Sequence, residues 1–96
     1  YNTIKIKKGM ILSNEPGYYK KNHFGIRIEN LIYAKQLQKK IFFENLTLAP
    51  MEKDLINFKL LNKIEKDYLF RYHLNIYSKY SASLNKKERK WLATLI

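Results

Sequence analysis

The chain has 96 residues, a formal net charge of +11 and no cysteine. That length holds at most one small domain, or part of a larger one, and the missing thiols exclude a disulfide framework and a thiolate metal site. No apolar run reaches bilayer-spanning length and the start carries no secretory pattern, so the expectation is a cytoplasmic chain with no membrane span. A strong positive charge raises nucleic acid as a partner. However, the basic residues are nearly all Lys and are scattered, Arg occurs only at Arg27, Arg71 and Arg89, and no nucleic-acid motif is present. The charge reads as a solvated surface with a compositional bias, and nucleic acid is not the expected partner.

Residues 3–8 alternate apolar and basic side chains and read as extended chain or an edge strand leading into Gly9. Met10 to Asn14 is the first strand proper. It ends at Glu15-Pro16-Gly17, where the residue before proline is held extended and Pro-Gly signals a turn. Residues 20–23, Lys-Lys-Asn-His, form a polar loop tip, and His23 reads as an exposed loop histidine. Ile26 to Ala34 is the second strand, rich in Ile and aromatic residues. In it Ile26 and Ile28 face a core while Arg27 and Glu29 project together to the other side. Each strand thus carries one carboxylate, Glu15 and Glu29, to the same region. Such a pair suits a hard divalent metal or acid/base work. The plainer reading is a Glu at a turn and a Glu paired with Arg27 across a sheet.

Residues 35–40 form a hairpin connection, and Ile41 to Ala49 is a further strand stopped by Pro50. Glu44 on it reads as a structural or surface carboxylate. These segments predict a mainly antiparallel sheet. A short turn follows within residues 53–58. Asn62 and Glu65 then have the spacing of a capping box, opening a helix over about residues 63–81. Ile64, Tyr68, Tyr72, Ile76 and Tyr80 recur every four residues, with Leu69, His73 and Tyr77 beside them. His73 on that face reads as a packed, hydrogen-bonded histidine. Ser81 to Ser83 break the pattern. Asn85 and Glu88 repeat the capping spacing and open a last helix near residues 86–95, with Trp91, Leu92 and Leu95 as its apolar face. The two helices would form a hairpin.

The wording of residues 9–30 is more specific than its spacing. Gly9-Met10, then Ser13-Asn14-Glu15-Pro16-Gly17-Tyr18-Tyr19, then Phe24-Gly25-Ile26-Arg27-Ile28-Glu29-Asn30, resembles the end of the catalytic domain of Xaa-Pro aminopeptidase (aminopeptidase P). That family is one of the pita-bread metallopeptidases. The Phe-Glu-x-Leu-Thr-Leu-x-Pro pattern at residues 43–50 is similar to its long form, as are the Tyr-His of the first helix and the Glu-x-x-Trp-Leu of the second. The resemblance therefore covers nearly the whole chain. It implies an α+β fold, with residues 1–50 ending a pita-bread catalytic domain and residues 51–96 forming a C-terminal helical region. It also implies a site with two divalent metal ions, usually manganese, held by two Asp, one His and two Glu. In that site the ions activate a water that attacks the bond before a proline at the second position of a peptide. By position, Glu15 would bind one metal and help place the water, Glu29 would bridge both, and Arg27 would order the carboxylates from behind. Tyr18, Tyr19 and Phe24 would shape the nearby pocket.

The chain departs from that pattern in one respect. The two Asp and the His ligand belong to upstream segments of the family, and Asp54 and Asp67 match nothing in the site. With Tyr1 at its start, the chain reads as a C-terminal portion, inactive alone, whose partner is the N-terminal part of the catalytic domain. A homodimer is left open. Three readings remain: one piece of a split or truncated aminopeptidase, a remnant without activity, or a basic nucleic-acid- or protein-binding module that kept the fold.

Overall fold

The computed structural model describes residues 3–96, which fall into two compact units that meet in sequence between Leu48 and Ala49. The first is all β: β1 (Ile11–Asn14), β2 (Gly17–Lys20), β3 (Phe24–Arg27), β4 (Asn30–Leu37) and β5 (Lys40–Asn45). β1, β4 and β5 make one antiparallel sheet in that order, and β2 and β3 pair antiparallel as a second.

The two sheets share a single register. Ile11 faces Tyr33, Asn14 faces Asn30, Gly17 faces Arg27 and Lys20 faces Phe24. Carried across the gap, the same register sets Glu15 opposite Glu29 and Pro16 opposite Ile28. The ladder thins at that point for a chemical reason. Ile28 donates its N–H to the Pro16 carbonyl at 3.0 Å, but proline has no N–H to return. The expected strand over Ile26 to Ala34 is therefore two strands, β3 and β4, with Ile28 and Glu29 between them. Gly17, expected in a turn, is instead the first residue of β2, a strand the polar-looking sequence concealed.

Turn chemistry fixes the ends. Met10 N–H bonds the Lys7 carbonyl, and Gly9 has φ +86°, the pattern of a type II turn. Gly9 N–H bonds Ala34 O while Ala34 N–H bonds Met10 O, so Gly9 and Met10 together oppose one residue. That is a glycine-led β-bulge. Residues 3–8 lie outside any strand, because this turn takes the place of the expected edge pairing. At the β2–β3 loop Asn22 has φ 60°, a left-handed position that Asn tolerates. Gln38 (φ 54°) opens the two-residue β4–β5 turn. The strand expected to run to Ala49 stops at Asn45. Leu46 N–H still bonds Leu31 O at 2.8 Å, but Leu31 N–H turns to the Thr47 hydroxyl at 2.8 Å. A side chain thus takes the ladder's next acceptor place. Lys35 pairs with Glu44 and lies 5.2 Å from the Tyr33 ring centre. Hydrogen bonds to Glu44 and then to Tyr33 push the Lys35 ammonium up to about 12.

Ala34 and Asn30 on β4 are buried, but the expected core partners Ile26 and Ile28 are half exposed. Sheet faces leave Ile11, Leu31, Leu37 and Phe42 open as well. Alternation along strands explains the distribution. Leu12, Ile32, Ala34 and Phe43 share one face of the larger sheet, and Ile11, Leu31, Leu37 and Phe42 the other. The sheet is apolar on both sides.

The second unit is helical. A 3₁₀ turn (Lys53–Leu55) precedes α1 (Lys63–Tyr80), a further 3₁₀ turn (Ser81–Ser83) and α2 (Lys86–Leu95). Both helices open with the expected capping box. Asn62 accepts from Glu65 N–H at 3.0 Å while Glu65 accepts from Asn62 N–H at 2.8 Å, and Asn85 and Glu88 repeat both bonds. Lys53 donates to the Thr94 carbonyl, one of the carbonyls that the last turn of α2 leaves without a helical partner. Tyr72, His73 and Ile76 of α1 and Leu92 of α2 are buried. The expected stripe is right only at its centre. A recurrence of four residues advances about 40° round the helix per step, so its ends leave the face. Ile64 is accordingly 80% exposed and Ile76 0%. Trp91, expected on the apolar face, is exposed, about 100° round α2 from Leu92.

Two stability differences follow, both readable by urea unfolding. Ile76→Ala is expected to cost about 3 kcal/mol, and Ile64→Ala less than about 0.5 kcal/mol. Gly9→Ala is expected to cost about 1 kcal/mol through its left-handed backbone alone, with Gly9→Asn losing less. Equal losses at Ile64 and Ile76 would contradict the burial pattern.

Candidate metal centre

Alternation places every odd-numbered residue from Ile11 to Tyr19 and from Gly25 to Tyr33 on one side of the long hairpin. Its polar members gather at the break between the sheets. Arg27 Nε donates to Glu29 Oε2 at 3.0 Å, and Nη2 lies 3.0 Å from the same oxygen. Arg27 Nη1 lies 3.5 Å from Glu15 Oε2, and the Ser13 hydroxyl donates to Glu15 Oε1 at 2.6 Å. Glu15, Glu29 and Arg27 therefore converge as the sequence expects.

Two glycines explain how a tyrosine joins them. A Cβ on Gly25 would lie 2.6 Å from Tyr19 Cδ1, and one on Gly17 would lie 2.8 Å from the Tyr19 hydroxyl. The Tyr19 ring thus lies along the ladder over two residues without side chains. A hydrogen bond with Tyr19 is the largest influence raising the Arg27 guanidinium above its ordinary value, followed by the charge of Glu29, then Tyr19 and Glu15. Tyr19 and Ser13 carry roles the sequence reading did not assign. Their odd numbering, shared with Glu15 and Arg27, was the available signal, with Tyr19 opposite Gly25 and Ser13 opposite Leu31. Tyr18 and Phe24 are on the other side of the hairpin, where their rings meet at 6.1 Å.

The electrostatics favour a cation. Like charges directly opposite in a sheet repel. One guanidinium compensates two carboxylates and leaves the group one negative charge in excess. These side chains are about half exposed, so water screens each ion pair and the pairs orient the carboxylates more than they stabilise the fold. Two facing carboxylates with a net negative charge are hard oxygen donors and fit a hard divalent ion. They are two donors only. Among the described residues no group of three or more His, Cys, Asp or Glu is gathered. His23 is exposed at the β2–β3 loop, Glu44 is engaged by Lys35, and Asp54 and Asp67 belong to the helical unit.

The chain belongs to metallopeptidase family M24: the family's own pattern matches residues 1–36, and the pattern of the C-terminal region of peptidase M24 matches residues 39–95. Within it, the likeness is to the aminopeptidase P enzymes. A probable Xaa-Pro aminopeptidase P of Botryotinia fuckeliana is 41% identical over 82% of this chain and 13% of its own length. One of Laccaria bicolor is 38% identical over 95% of this chain and 16% of its own. The crystal structure of X-prolyl aminopeptidase from Caenorhabditis elegans, described as a cytosolic enzyme with a di-nuclear active site, superposes with a TM-score of 0.77. It is 30% identical and aligns with 94% of this chain and 16% of that one. The chain thus spans between about an eighth and a sixth of the length of the relatives it matches. The expected α+β class, the end of a pita-bread domain followed by a C-terminal helix pair, holds.

Gly25→Ala is expected to displace the Tyr19 ring and destabilise the hairpin by about 1 kcal/mol. In a Tyr19→Ala background the same change should cost measurably less. A double-mutant cycle by urea unfolding checks this, and additive losses would mean the ring does not lie over Gly25.

Proposed function

We propose that this chain contributes the carboxylate end of the metal site of an Xaa-Pro aminopeptidase. In this reading residues 1–50 end the catalytic domain and residues 51–96 form its C-terminal helical region. The observation that carries it is the opposition of Glu15 and Glu29 in one register, both tied to Arg27. Glu15 and Glu29 would supply two of the ligands to two divalent ions, of which manganese is the proposed identity. When bound, those ions supply the positive charge that activates water toward the peptide bond before proline.

The chain's own residues have three tasks in this scheme. Glu15 and Glu29 present oxygens at a fixed spacing set by two paired strands. Arg27 restrains both carboxylates, so they do not swing apart when no cation is near. Ser13 holds the second oxygen of Glu15. Two Asp and one His from a preceding part of the catalytic domain would complete the ligand set, and a peptide with proline second would be the substrate. The 96 residues alone are proposed to be inactive, since two carboxylates cannot hold two ions against water. Cytosolic location is proposed from the likeness to the nematode enzyme, and no helix among the described residues is long and apolar enough to cross a membrane.

The test is reconstitution. The chain is mixed with a fragment carrying the upstream Asp, Asp and His segments, and X-Pro peptide cleavage is assayed with manganese. Activity is expected only in the mixture, with a loss of about a thousandfold or more in Glu15→Ala and Glu29→Ala. Arg27→Ala is expected to weaken metal binding about 10–100-fold, read by calorimetry on the mixture. A silent but well-folded complex would sink the enzymatic reading and leave a remnant. Salt-sensitive nucleic-acid binding by the isolated chain would favour a basic binding module instead.

A further inference from the structure

Ala49, Pro50 and Met51 form the strap by which the chain enters the helical unit. Two neighbouring side chains of α1 grip it. The Tyr72 hydroxyl donates to the Ala49 carbonyl at 2.7 Å, and Met51 N–H donates to His73 Nε2 at 3.1 Å. Pro50 between them has no N–H of its own to offer. We propose that His73 is a pH-operated latch: protonation of its imidazole expels Met51 N–H and frees the strap from α1.

The chemistry is that of a single lone pair. An imidazole accepts a hydrogen bond only at a nitrogen without a proton, and both nitrogens of the cation are donors. Protonated Nε2 would turn an N–H toward another N–H, and the bond would become a repulsion. Met51 N–H would then need water, since an unpaired buried amide is costly. The site is enclosed: His73 is 7% exposed, and the Tyr72 ring centre is 5.6 Å from its own. Burial lowers the histidine from its ordinary value near 6.5. Glu52, Lys53 and Asp54 beside the strap and Arg71 on α1 are the charged groups next to it in the chain, and the titratable neighbour, Tyr72, has its hydroxyl committed to Ala49. The sign of the linkage follows. The unfolded chain takes up the proton at higher pH than the folded one, so the stability held by neutral His73 is complete above about pH 6.5. It is lost as pH falls through the lower, folded value. Histidine is the side chain whose ordinary range puts this event near neutrality.

The latch differs from general acid unfolding in being local. The capping amides of Glu65 and Glu88 donate to the side-chain oxygens of Asn62 and Asn85, which do not titrate. The experiment follows amide hydrogen exchange and the His73 ring resonances by NMR on the full 96-residue chain, between about pH 8 and pH 5. After correction for intrinsic exchange, Met51 is expected to lose about tenfold or more in protection, with the midpoint of the His73 titration, while Glu65 and Glu88 stay protected. His73→Gln, which keeps a neutral acceptor of similar reach, is expected to abolish the pH dependence at Met51. Tyr72→Phe removes the other grip and should deepen the loss at low pH in the otherwise native chain, a second test if the Gln variant does not fold. A Met51 amide that keeps its protection while His73 titrates would overturn the latch. So would a His73 ring that stays neutral to pH 5, or a Met51 loss that coincides with loss at Glu65 and Glu88.

Discussion

One register, interrupted once, governs the β unit. Four strands pair as two ladders that are continuous in alignment, and only Pro16 prevents them from being one. Because alignment survives the interruption, Glu15 and Glu29 are set opposite each other although neither lies in a strand. Because backbone pairing is thinned there, their side chains and Arg27 meet where the two sheets part. Gly17 and Gly25 then leave room for the Tyr19 ring along the same face. Proline, two glycines and alternation account for the polar group without any special packing.

The helical unit relies on a different set of interactions. Its buried apolar content is small: Tyr72, Ile76 and Leu92, with His73. Much of its definition comes from polar groups that complete unsatisfied backbone. Two matching capping boxes start the helices, Lys53 closes the end of α2, and Tyr72 and His73 hold the strap. Each such bond contributes on the order of 1 kcal/mol, so their placement selects a geometry more than it supplies stability.

Much of this was legible in the residues. The capping boxes follow from Asn and Glu three positions apart, and both helices start where that spacing puts them. His73 packs and accepts a hydrogen bond as its helical face predicts. The convergence of Glu15, Arg27 and Glu29 follows from alternation. Other features were not legible because they depend on partners. Gly17-Tyr18-Tyr19-Lys20 has no apolar alternation and became a strand through pairing with β3. The split at Ile28 required knowing that Pro16 would lie across from it. Periodicity predicted burial for Ile26, Ile28, Ile64 and Trp91, yet periodicity gives only direction, and these side chains stay half or more exposed. The likeness to aminopeptidase P rested on residue identities, which the family patterns support.

The order in which the hairpin can form is set by how short it is. Glu15 and Glu29 are 14 positions apart; the β2–β3 pairings nest inside that span, and the β1–β4 pairings enclose it out to Ile11 and Tyr33, 22 positions apart. Contacts of such small sequence separation have a low closure entropy, and hairpins close in about 1–10 μs. Pairings of large sequence separation are slower to meet. The carboxylate pair can therefore form as soon as this one hairpin closes, with Arg27 offsetting part of the charge that the closure brings together.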